Sequence, residues 1–169
     1  MIPDLQHIEQ FLAPWQHAYS DSIALSTSVT AIHLLAMLFG GGLAIAADRM
    51  TLKLRTENAD QRRQHLVDLS AIHRPVVIAL AFQFLSGIAM LASDVKTFVA
   101  SPVLWIKLSL VALLLINGVI LERTESALRR SDGGAEPAGL WNRLNFNAIC
   151  SLMLWSATLV AGITLVNTA

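Results

Sequence analysis

Histidine and lysine are the residue types in this chain best suited to hold a metal or move a proton inside an apolar protein. His33, His73 and Lys107 lie in or at the edge of long uncharged stretches, and Gln83, Met90, Asn117 and Asn145 add further polar or soft groups. Lys107 stands between Trp105-Ile106 and Leu108, with no other charge nearby. A charge in hydrocarbon costs roughly 3 kcal/mol or more on insertion scales. It persists when it snorkels to the headgroups, pairs, or serves a site. Histidine is the commonest metal ligand, and cofactor sites in helical bundles are built from facing side chains. Haem or metal ligation is therefore the chemistry these residues could perform, and helices must position them. No nucleophile triad, phosphate loop or zinc motif is present, and nothing points to a nucleic-acid partner.

No Asp, Glu, Lys or Arg interrupts Ser22–Ala47, Pro75–Ser93 or Leu144–Ala169, and Lys107 alone interrupts the stretch between Lys96 and Glu122. Each stretch is close to or above the ~20 residues needed to cross a bilayer. The expected fold is an all-α polytopic membrane protein, a four-helix bundle occupying 22–169, with spans at about 23–47, 73–93, 102–121 and 144–167. Residues 1–21 read as an interfacial segment without the basic start and cleavage site of a secretory signal. Ile2, Leu5, Ile8, Phe11, Leu12 and Trp15 recur there at helical spacing. This pattern predicts a short amphipathic helix on the outer membrane face, ended or kinked at Pro14.

The net charge is zero, but ten of the twelve basic residues fall beside or between spans one and two or between spans three and four. Basic loops stay in the cytoplasm, so both termini are expected outside. The 48–72 connection carries charges at helical spacing and predicts continuation of the first two helices beyond the membrane. Gly and Pro concentrate at 131–139, which predicts a flexible connection. The lone Cys150 reads as a small packing residue.

Each span has one smaller or more polar face, the kind that packs helices in lipid. These faces are Ser26, Thr30, His33, Met37, Gly40 and Ala44; then His73, Val76, Leu80, Gln83, Gly87, Met90 and Asp94. On the third span they are Lys107, Val111, Leu114 and Gly118, with Asn117 at the edge, and on the fourth Asn147, Ser151, Trp155, Thr158 and Gly162. At 1.5 Å per residue, His33 sits roughly 22 Å above the inner boundary and Lys107 roughly 7 Å below the outer one. His33 and Lys107 therefore share a level, whereas His73 lies at the inner boundary. Two axial ligands must bring their nitrogens to about 4 Å from each other, given metal–nitrogen bonds near 2 Å. A haem clasped by His33 and His73 is disfavoured by roughly 20 Å. A haem held by His33 fits better, with Lys107, Met90, water or nothing opposite it. A lysine ligand would have to be neutral. His73, Asn117, Glu122, Arg143, Asn145 and Asn147 form a second polar set near the inner boundary, suited to a quinone headgroup, a lipid phosphate, a proton relay or a plain hydrogen-bonded layer.

Ala31-Ile32-His33-Leu34, Pro75, Ser86-Gly87, Trp105-Ile106-Lys107-Leu108 and Arg143-Leu144-Asn145 occur in order over about 30–167. In these motifs the chain resembles four-helix bacterial membrane proteins of the CopD-like and HemJ-like type. The HemJ-like branch implies haem b and porphyrinogen oxidation, with key residues that match His33 and Lys107. The CopD-like branch implies copper handling, for which Met37, Met90 and His33, with His7 or His17, offer soft and borderline ligands. The chain departs from the HemJ-like pattern at Asn117-Gly118, where that pattern has a histidine, and at Phe146, where it has a glutamate. The resemblance thus carries over to haem binding rather than to porphyrinogen oxidation. It implies a bacterial inner-membrane protein acting in electron transfer or a membrane redox reaction. The lipid bilayer, a redox partner or quinone, and a second copy of the chain are its expected partners. A copper-handling protein and a cofactor-free structural subunit are the alternatives.

Overall fold

A computed structural model describes residues 3–54, 59–131 and 138–168. The Gly- and Pro-rich connection at 132–137 and Ile2 lie outside the described residues. Six helices follow in order: α1 Pro3–Asp21, α2 Ile23–Lys53, α3 Ala59–Ser93, α4 Val95–Ala100, α5 Pro102–Arg130 and α6 Ala138–Thr168. No strand occurs among the described residues. Helices α2, α3, α5 and α6 are each long and apolar enough to cross a membrane. The chain is a multi-pass, all-α membrane bundle.

The helix boundaries follow from local chemistry. Ser22 accepts a hydrogen bond from the Leu25 amide and separates α1 from α2. Asp94 caps α4 by accepting from the Thr97 amide at 3.1 Å. Pro102 opens α5 at the position where a missing N–H costs nothing. Helix α1 runs through Pro14 to Asp21, so the helix does not end there. Its second half is anchored instead: Trp15 Nε1 donates to the Ala89 carbonyl at 2.9 Å and Gln16 Nε2 to the Ala92 carbonyl at 3.4 Å. These carbonyls belong to the last turns of α3, where intrahelical partners run out. Helices α2 and α3 continue past the apolar spans, to Lys53 and back to Ala59, as the charge spacing of the connection predicts.

The bundle consists of two helical hairpins, α2 with α3 and α5 with α6, joined mainly where α2 meets α6. We call the end carrying α1 and α4 the terminal end, and the end where α2 meets α3 and α5 meets α6 in the chain the basic end. Phe39, Leu38, Phe84, Leu85 and Met153 are exposed around the waist, as lipid-facing residues must be. The tightest apolar cluster lies at the basic end, around Ala47, Leu66, Leu69, Leu128, Trp141 and the fully buried Leu144.

Two glycines set the helix spacing at the waist. A Cβ on Gly40 would stand 2.9 Å from the Ala79 Cβ of α3, and one on Gly41 would stand 3.1 Å from the Trp155 ring of α6. Gly42 has no atom within 4 Å of such a Cβ. The Gly40→Ala variant should therefore lose stability by about 1–3 kcal/mol through overpacking. Gly42→Ala should gain about 0.5–1 kcal/mol from helix propensity alone. Thermal unfolding in detergent reads both, and equal shifts would show that the α2–α3 approach is not what limits position 40.

Candidate functional site

The polar side chains gather at two levels. At the first, towards the terminal end, His33 of α2 turns to α3. Its Nδ1 lies 3.1 Å from the Gln83 carbonyl oxygen and 3.0 Å from Ser86 Oγ. The carbonyl can only accept. Ser86 sends its own hydroxyl proton to the Phe82 or Gln83 carbonyl, at 2.7 and 3.1 Å. In the neutral ring Nδ1 therefore carries the proton and donates it, and Nε2 keeps the lone pair. Gly87 lets the ring lie flat on α3, with His33 Cε1 3.4 Å from where a glycine Cβ would stand.

Lys107 reaches the same level from the other hairpin. Its Nζ lies 3.4 Å from where a Cβ on Gly162 would stand. From the Gly41–Trp155 contact, His33 is eight residues along α2 and Gly162 seven residues along α6, both towards the terminal end. At 1.5 Å per residue these steps are about 12 and 11 Å. The Lys107 ammonium is also within electrostatic reach of the His33 imidazole. Among the described residues Lys107 has no hydrogen-bond or ion-pair partner. A shallow open groove runs along α2 past Ser26, Thr27, Thr30, Ala31 and Leu34, and neither His33 nor Lys107 lines it.

Gln83 meets His33 through its backbone, while its side-chain Oε1 is buried without a partner. Met90 is half-buried on α3, one turn beyond Ser86 towards the terminal end. His73 is elsewhere. It sits ten residues from Gln83 along α3, about 15 Å away, and its Nε2 is 2.8 Å from Glu125 Oε2.

That contact belongs to the second level, at the basic end. Glu125 is fully buried, and Asp48, Thr51, His65, Thr124, Asn117, Asn145, Asn147 and Ser151 are buried around it or on adjoining turns. The Ser151 hydroxyl donates to the Asp48 carboxylate, which is within electrostatic range of Glu125. His65 also feels Glu125. Asn117 Nδ2 donates to the Asn147 carbonyl at 3.0 Å. Thr51 donates to the Ala47 carbonyl at 3.0 Å, so its oxygen accepts from His65 Nε2 at 2.8 Å.

This arrangement corrects the inner set expected from sequence. Asn117, Asn145 and Asn147 are buried there, but Glu122 and Arg143 are exposed. Glu125 and Asp48 take their place. Both lie just past the apolar stretches and read as aqueous residues on charge alone. Helical spacing carries the missed signal: Gly41, Ala44 and Asp48 share a face, as do Leu114, Leu121, Glu125 and Leu128. The interior face of α5 includes Leu114 and Asn117, whereas Gly118 is exposed. Among the described residues no group of three or more His, Cys, Asp or Glu side chains is placed to hold a metal ion.

No family model, no curated protein and no solved structure matches the chain.

The His65–Thr51 bond links α3 to α2 at the basic end of the first hairpin. Thr51→Val keeps the shape and removes the acceptor, leaving a buried imidazole N–H unpaired. The variant should lose about 1–3 kcal/mol in denaturant or thermal unfolding. An unchanged midpoint would show that water already reaches His65.

Proposed function

We propose that the protein is a b-type haem protein of a bacterial inner membrane, acting in electron transfer or a membrane redox reaction. His33 would hold the haem iron through Nε2, and Lys107 would partner a haem propionate or serve as a second ligand. The propionate role is chemically easier, because it leaves the lysine protonated. In this reading the basic end faces the cytoplasm, and α1, α4 and the C-terminus face outside.

One observation carries the proposal, the tautomer of His33. A metal-bound histidine almost always donates its other ring N–H to a carbonyl or similar acceptor, which orients the ring and raises its basicity. Gln83 and Ser86 make that arrangement on Nδ1 and leave the Nε2 lone pair without a protein partner. Every neutral imidazole divides its nitrogens this way; here α3 assigns the N–H to Nδ1, so the nitrogen available to a ligand is Nε2. The cation of Lys107 at the same level suits an anionic group. The resemblance in the His33 and Lys107 motifs points the same way. When bound, haem would supply reversible one-electron chemistry. The protein's own part is to orient the imidazole, place a positive charge nearby and exclude water with the surrounding apolar helices.

Protein purified from haem-replete cells should show a Soret band with reduced α and β bands. His33→Ala should abolish them. His73→Ala should retain them, since His73 lies at the other level. A folded, colourless protein that retains stoichiometric copper after dialysis would reassign His33, Met37 and Met90 to copper. A folded protein with neither would overturn cofactor binding in favour of a structural subunit.

A further inference from the structure

The second polar level stands apart from His33 and Lys107 and calls for its own explanation. Glu125 has no exposed surface, and Asp48 is 5% exposed. The two carboxylates are close enough to interact, with no lysine or arginine hydrogen-bonded to either among the described residues. His73 is the one basic side chain seen in contact with either carboxylate among the described residues, so the site carries less positive charge than two ionised carboxylates would need.

The unpaired atoms say what else the site holds. Glu125 Oε1, Asp48 Oδ2 and both side-chain amide atoms of Asn145 are buried without partners, as is Asn147 Nδ2. Asn147 stands one turn from Ser151 on α6, and Ser151 bonds Asp48. Asn145 precedes Asn147 by two residues, about 200° around α6, and so turns to the other flank of that helix. Asn145 and Asn147 are each 6% exposed. The orphan set mixes donors and acceptors. A cation would satisfy the oxygens and leave the amide N–H groups unpaired. Water satisfies both kinds, and buried water typically makes about three such bonds.

His73 connects this pocket to the surface. Its side chain is 31% exposed, against 0% for Glu125, and its Nε2 touches Glu125. Arg74 beside it is exposed, and Glu122 and Arg129 act on it from α5. Those charges mark a water-facing level.

We propose that Glu125 and Asp48, with water held by Asn147, form a hydrated proton-holding centre that His73 loads and unloads from the basic end. In the loading step His73 Nδ1 takes a proton from hydronium, leaving water. The Nε2–H bond breaks and that proton forms an O–H bond on Glu125. The ring ends neutral with its proton on Nδ1, and the carboxylate becomes a carboxylic acid. The titratable groups around the centre are Asp48 from α2 and His65 and His73 from α3, while Glu122 and Arg129 of α5 act on His73 at its outer side. From α6 come Ser151 and Asn147, which do not titrate.

Infrared difference spectroscopy of the full-length protein in liposomes tests this. A carboxylic acid C=O stretch should be present at neutral pH, shift in deuterium oxide, and disappear or move in both Glu125→Gln and Asp48→Asn. His73→Phe should keep the band but slow its hydrogen–deuterium exchange about a hundredfold, the lower range for a lost acid–base relay. No such band in the wild-type protein, or a band unaffected by either carboxylate variant, overturns the centre. Unchanged exchange in His73→Phe overturns the route. Should Glu125→Gln not fold, Asp48→Asn and the wild-type spectrum still decide. None of these readouts depends on haem.

Discussion

The close approach of three helices at Gly40 and Gly41 governs the rest of the bundle. In lipid no hydrophobic force drives helices together, so association rests on packing and internal hydrogen bonds. Here Ala79 and Trp155 press on a two-residue bare patch of α2 from either side. That contact joins the two hairpins and fixes their registers. Counting outward along α2 and α6 brings His33 and Lys107 to one level. Counting the other way brings Asp48 to Ser151. Neither polar level could be assembled if α2 slid by one turn against α6.

The two levels solve the same problem differently. Around His33, backbone and hydroxyl oxygens of α3 complete the hydrogen bonding of one ring nitrogen and leave the other bare. Around Glu125, contributions from all four long helices surround a carboxylate that makes one direct side-chain contact, to His73. The first is a directional arrangement, with Gln83 Oε1 and the Lys107 ammonium nearby left without partners among the described residues. The second is under-bonded by protein alone. A packed helical interior tolerates such a deficit where water can enter, and the basic end, with its flanking charges, is where water is nearest.

Much of this was legible in the chain. Long uncharged runs announced four spans, and the small-residue faces of α2 and α6 are the ones that pack. Depth counted at 1.5 Å per residue separated His33 from His73, because helices are rulers. The less legible parts arose where a ruler alone fails. Asp48 and Glu125 fall immediately beyond the apolar runs, and charge counting assigns such residues to water. Whether a carboxylate at a helix end turns inward depends on rotation about the helix axis and on what the neighbouring helix presents. Pro14 misled for a related reason: local backbone preference predicts a break, but Trp15 and Gln16 tie the following turn to the end of α3. The helix α4, six residues capped by Asp94, is too short to announce itself by periodicity.

The waist between the two levels has an electrical consequence. His33 and Asp48 are fifteen residues from each other on one continuous helix, about 22 Å. Glycine, alanine and the Trp155 ring fill the α2 contacts between them, with no ionisable side chain on that stretch of α2. Such a segment is an insulator. Moving one elementary charge across a membrane is worth about 2.3 kcal/mol per 100 mV, and most of that voltage falls where the dielectric is lowest. The bundle is therefore built as a capacitor, with its chargeable groups on the two plates and the glycine contact as the gap.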